Sequence, residues 1–153
     1  VVTPRSRRPA SRYRTALRRY GIGDLTRILP GGLTEEAGAA AARTLVREPC
    51  LPSAVIVFND RCATGVLDVL LRAGFDIPGD VSVVGYDDGR LARLSYVALT
   101  TVAQDAPLLA RLATTRAIEQ LDGRPVEEQA LVIPPHLVVR ATTGPPRPDA
   151  VSG

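Results

Sequence analysis

The sequence predicts an α/β domain built on a parallel sheet, and three observations predict it. Two short, continuous, β-branched runs, AVIVF at residues 54–58 and VSVV at 81–84, read as strands buried on both faces. Between them Ala63, Val66, Leu67, Leu70 and Leu71 recur at helical spacing until Gly74 stops the pattern. Strand, helix and strand in that order form a parallel crossover, whose hand is almost always right. A length of 153 residues, with 45% hydrophobic and 23% charged side chains, fits one globular core and excludes a disordered or collagen-like chain.

Each element follows from local chemistry. Val1, Val2 and Thr3 read as a strand fragment, and with no methionine anywhere the sequence reads as starting partway through a longer chain. Residues 9–20 form a helix with Arg12, Arg14, Arg18 and Arg19 on a solvated face and Tyr13, Ala16, Leu17 and Tyr20 packed inward. Gly21 and Gly23 end it. A strand is expected over 25–29, a turn at Pro30, Gly31 and Gly32, and then a helix to Arg47, capped by Thr34 with Glu35 and Glu36 in its first turn. Asn59 and Asp60 sit at the start of the central helix, and residues 76–80 are turn chemistry. Gly85, Tyr86, Asp87 and Asp88 leave the strand at 81–84, and a further strand is expected over 97–102. Leu108, Leu109, Leu112, Ala113, Ala117, Ile118 and Leu121 mark an amphipathic helix ended by Asp122 and Gly123. Short strands are expected at 130–133 and 136–140, and a disordered tail over 144–153.

Several functions are excluded or disfavoured. No apolar run approaches the ~18 to 20 residues needed to span a bilayer, so no membrane partner is expected. Cys50 and Cys62 form no CxxC pair and no His cluster accompanies them, which suits reduced thiols in a cytoplasm and gives no metal site. Net charge is +3, yet seven arginines and no acid lie in residues 1–20, leaving 12 arginines against 16 acids beyond. That basic end suits a solvated helix face better than a nucleic-acid surface. His136 is the single histidine, and no nucleophile elbow, zinc motif or phosphate loop occurs. No catalytic residue and no cofactor is therefore assigned, and the chain is not expected to be an enzyme.

Ligands of open α/β sheets bind beyond the carboxyl ends of the strands. Asn59–Asp60 and Asp87–Asp88 stand there, and an amide beside a carboxylate suits neighbouring hydroxyls of a polyol or sugar. The alternative, open at this point, is that Asn59 caps a helix and Asp87 satisfies a turn.

The run PSAVIVFNDRCATGVLDVLLRAGFDIPGDVSVVGYDD, followed by ALTTVAQD, closely resembles the effector-binding core of lactose-repressor-type transcriptional regulators. The likeness extends more loosely over residues 9–143. It implies a type I periplasmic-binding-protein-like sheet flanked by helices, mainly the C-terminal lobe of a two-lobed sensor. Residues 1–102 and 130–143 would form that lobe, while 103–129 would cross over and lie beside the first lobe. The family's ligand-contacting Asn, Asp and polar crossover residue fall on Asn59, Asp87 and Gln104. The Arg expected three residues before a Gly falls on Pro9, with Arg12 at the Gly, so Arg8 is its substitute. The aromatic that stacks on ligand is Leu33 here, which removes a flat platform for a sugar ring. Dimer contacts would fall on Arg61, Thr64, Leu94 and Tyr96. The resemblance thus implies a cytoplasmic repressor sensing a sugar-like effector as a homodimer, touching operator DNA only through an N-terminal headpiece outside this chain. The alternative is a periplasmic sugar-binding protein of a transport system.

Overall fold

The structure, a computed structural model, describes residues 2–4, 7–124 and 132–147, with side chains from Tyr13 onward. Its elements run β1 (Val2–Pro4), α1 (Arg7–Arg19), β2 (Leu29–Gly31), α2 (Glu35–Val46), β3 (Ala54–Ile56), α3 (Asp60–Arg72), β4 (Ser82–Asp87), β5 (Thr100–Ala103), α4 (Ala106–Leu121) and β6 (His136–Val138). β1 and β2 pair parallel, and β3, β4, β5 and β6 form a second sheet in that order. The first three of these are parallel and β6 is antiparallel to β5. The sheet is therefore mixed, because the chain leaves β5 through α4 and comes back along the same edge.

The helices start where local chemistry places them. Thr34 Oγ1 accepts from Ala37 N at 3.4 Å at the head of α2, and Asn59 Oδ1 accepts from Cys62 N at 2.8 Å at the head of α3. The core is made by Ala41, Ala42 and Leu45 of α2, Cys62, Ala63, Val66, Leu67 and Leu70 of α3, and Leu29, Val55, Val57, Val81, Val83, Ala92 and Leu99 around the sheet. α2 and α3 touch backbone to backbone. A Cβ on Gly38 would meet the carbonyl of Cys62, and one on Gly65 the carbonyl of Glu35, so both crossing points require glycine.

Several boundaries differ from expectation, each for a reason of pairing. Residues 25–28 form no strand, because β1 begins opposite Leu29 and they lack a strand partner among the described residues. They turn instead, with Thr26 N donating to Gly23 O at 3.3 Å. Residues 97–99 also turn, Ala98 N reaching Leu94 O at 2.7 Å, so β5 starts only at Thr100. β4 runs on to Asp87 because it pairs with β3 over Ser82–Val84 and with β5 over Val84–Asp87, a staggered overlap. β6 stops at Val138, and Arg140 turns its guanidinium inward.

Of the strand expected at 130–133, Ala130 and Leu131 lie outside the described residues, and Val132 and Ile133 are irregular. Of the residues expected as a tail, 144–147 are described, and two of them bond back to the domain. Gly144 N donates to Ser82 Oγ at 3.2 Å and the Arg147 guanidinium to Leu51 O at 3.0 Å. Residues 148–153 lie outside the described set. α4 buries none of its residues, and Leu109, Ile118 and Leu121 are exposed on it.

Candidate functional site

β3, β4 and β5 end on one edge. β3 and β4 pair Ala54 with Ser82 and Ile56 with Val84, and Asn59 follows β3 by three residues at the head of α3. On the other side Asp87 pairs with Ala103, so Gln104 follows immediately alongside. Gln104 Nε2 donates to Asp87 Oδ1 at 2.9 Å, and both side chains are exposed. Asn59 is half-buried and its amide works locally: Oδ1 caps α3, and Nδ2 donates to Leu33 O at 3.2 Å. The cap that sequence reasoning weighed against a ligand role is thus formed, and one N–H of the amide is spent on Leu33. The Leu33 side chain is 54% exposed at this edge, where it offers an aliphatic surface. Arg8 falls within α1, and its side chain lies outside those described.

Three carboxylates share the edge in three different environments. Asp60 is buried, accepting from Thr101 Oγ1 at 2.5 Å and from Gly89 N at 2.7 Å. Burial pushes its carboxyl above the ordinary Asp value and the nearby Asp87 and Asp88 charges add to that, against the two hydrogen bonds. Asp88 is also largely covered, and burial works against its charge. The guanidiniums of Arg140, at 2.6 Å, and Arg93, at 2.8 Å, outweigh it and hold the carboxyl below its ordinary value. Asp87 alone presents its carboxylate to solvent.

The sequence grouped Asp60, Asp87 and Asp88 as one polar rim; the structure separates a buried acceptor, an exposed one and an ion-paired anchor. Thr101, Arg93 and Arg140 escaped sequence reasoning. Arg140 stands 52 positions from Asp88, and no local pattern announces that pair. Tyr13 was read only as an inward-facing helix residue; burial raises its phenol's pKa, and the neighbouring Tyr86 adds to the rise.

Chemically the edge offers an acceptor–donor pair, the carboxylate of Asp87 and the amide of Gln104, beside an aliphatic surface. That combination grips hydroxyl groups. Among the described residues no group of three His, Cys, Asp or Glu is placed to hold a metal ion. Cavities form elsewhere, one of about 430 Å³ between the residues 22–29 and the start of β3, another of about 420 Å³ lined by Thr64, Leu67, Leu71, Ile77, Tyr96 and Val97.

The second cavity gathers two of the four residues expected at a dimer contact, Thr64 and Tyr96, the latter 84% exposed. Arg61 instead turns to Glu35 at 2.7 Å, and Leu94 is half-buried with its carbonyl accepting from Val97 and Ala98.

Residues 2–143 match the family described as periplasmic binding protein-like domain. Over 110 residues the chain is 37% identical to the HTH-type transcriptional regulator MalR of Streptomyces coelicolor, covering 72% of this chain and 31% of that one. A LacI transcriptional regulator from a Rhodococcus species superposes with a TM-score of 0.80 at 50% identity, covering 87% of this chain and 49% of that one. A LacI family transcriptional regulator from Arthrobacter sp. FB24, in complex with lactose, superposes with a TM-score of 0.76 at 28% identity, covering 85% and 48%. The chain thus spans about a third of the curated relative's length and about half that of the two solved chains.

Proposed function

Since this chain belongs to the periplasmic binding protein-like family and its relatives are LacI-type transcriptional regulators, we propose that it is the C-terminal part of the effector-sensing domain of a DNA-binding repressor. The effector is a sugar or a polyol-like molecule. The observation that carries the reading is the exposed Asp87–Gln104 pair where three parallel strands end, with Asn59 following the first of those strands at the head of α3. Asp87 accepts from the effector's hydroxyls, Gln104 bridges to them, and Asn59 contributes the N–H that Leu33 does not take. Leu33 covers an apolar face of the ligand, and Arg8 of α1 supplies a cation.

Sensing of this kind couples to DNA only when effector prefers one arrangement of the lobes. Operator contact belongs to a helix-turn-helix headpiece outside this chain, and the reading carries with it a cytoplasmic location and no catalytic turnover. The relatives' names favour regulation over transport. The surface of α3 around Thr64, with Arg61 at its rim, and the segment from Leu94 to Tyr96 form the contact with a second copy. Support for this comes from the shared apolar cavity and the exposed Tyr96 and Leu71.

Calorimetric titration of the chain with mono- and disaccharides, lactose among them, tests the effector reading. The expected result is weak binding, because one wall of a two-walled cleft is present, weakened at least tenfold by Asp87→Asn. No heat with any sugar, or heat unchanged by Asp87→Asn, overturns it.

A further inference from the structure

Asp60 is 3% exposed, and its hydrogen-bonding partners are a hydroxyl and a backbone amide rather than a cation. A carboxylate in such a place is costly unless its acceptors are fully used. It does not serve as the cap of α3, because Asn59 does that. What it joins is three pieces of the edge: the start of α3, Thr101 inside β5, and Gly89 just past the end of β4. The Thr101 hydroxyl, wholly buried, donates to Asp60 and accepts from Asp88 N at 3.4 Å. The two residues ahead of Gly89 are strained. Asp87 has φ +111° and Asp88 φ +50°, conformations that non-glycine residues adopt at a cost and that persist only where the surroundings over-determine them.

The restraints on that turn come from Asp60 through Gly89, from Thr101 through Asp88 N, and from Arg93 and Arg140 through the Asp88 carboxylate. Space is shaped around the Asp60 carboxylate as well. A Cβ at Gly85 would run into Asp60 Oδ1, so β4 passes close against it.

We propose that Asp60, acting through Thr101 and Gly89, is the positioning residue that holds the 87–89 turn in its strained form and so keeps Asp87 aimed at Gln104. The proposal rests on the effector-site reading above. Asp60 itself touches no effector. Its contribution is pre-organisation: the carboxylate that greets a ligand hydroxyl is already in place, and none of the binding energy goes into bending the turn.

The test is nitrogen-15 NMR of the chain and of the variants Thr101→Val, Thr101→Ser and Asp60→Asn, reading the Gln104 side-chain amide and the Gly89 backbone amide. Thr101→Val deletes the donor, Thr101→Ser keeps it, and in Asp60→Asn one of the two donors loses its acceptor. Thr101→Val and Asp60→Asn are expected to move the Gln104 amide to the position of a free glutamine, and Thr101→Ser to keep it in place. Lactose titration is run alongside, with at least a tenfold loss expected in the two disabling variants and recovery in Thr101→Ser. Gln104 and Gly89 amides unmoved in a folded Thr101→Val, or moved equally in Thr101→Ser, overturn the proposal. If Asp60→Asn fails to fold, the Thr101 pair still decides. If the unaltered chain binds no sugar, the effector reading falls while the Gln104 resonance still judges the positioning claim.

Discussion

Asp60 and Asp88 stand at the same edge and titrate in opposite senses. The ordinary unfolded value for Asp is ~3.9. Asp88, held below it by Arg140 and Arg93 against the cost of burial, contributes stability that is complete above that value and is lost as pH falls through its lowered folded value. Asp60, raised chiefly by burial, contributes stability that is present below ~3.9 and is lost as pH rises through its raised folded value. Melting temperatures of the chain are therefore expected to pass through a maximum near ~pH 4 from these two groups, and Asp60→Asn to keep the acid-side fall while flattening the decline above it. Circular dichroism melts across pH check this; an unchanged slope above pH ~4 in the variant contradicts it. The residues of this network were unevenly legible. Asp87 stands out in sequence because it follows a buried run after only Gly85 and Tyr86. The division of labour among the acids does not, because it depends on Thr101 and Arg140, 41 and 52 positions from their partners.

The heads of α2 and α3 were fully legible, since a cap joins residues three apart and needs nothing distant. Strand ends were not, because a strand stops where its neighbour stops. Residues 25–28, expected as part of a strand, form none, and β4 runs three residues further than the VSVV apolar run because β5 lies beside it. The contact between α2 and α3 makes a sharp demand at the element scale. Gly65→Ala drives a methyl into the Glu35 carbonyl, and a loss of about 3 kcal/mol or more is expected in urea unfolding. A loss under ~1 kcal/mol would show that the helices can separate at little cost. α4 has the reverse character. With no buried residue, its amides are expected to exchange hydrogen far faster than those of α3, whose Cys62, Ala63, Val66 and Leu70 are wholly covered. Hydrogen-exchange mass spectrometry reads this directly.

At the scale of the whole molecule, two apolar surfaces are left uncovered by the described residues, the face of α4 and the cavity beside Tyr96 and Leu71. Monomeric proteins seldom leave large contiguous patches of this kind open. Sedimentation is expected to show association of the chain that Tyr96→Glu weakens at least tenfold, with the melting temperature little changed because Tyr96 is 84% exposed. Association that Tyr96→Glu leaves untouched would assign the contact to α4 instead. The arrangement around α4 has a mechanical side as well. The strand that leads into it and the strand that returns are hydrogen-bonded neighbours, Ala103 facing His136. Both tethers of the α4 excursion thus meet the sheet side by side, about one strand spacing apart. A body fastened to α4 would swing about that narrow pair as a door swings on its pin, and Gln104, the first residue past the pin, would carry the swing straight to the carboxylate of Asp87.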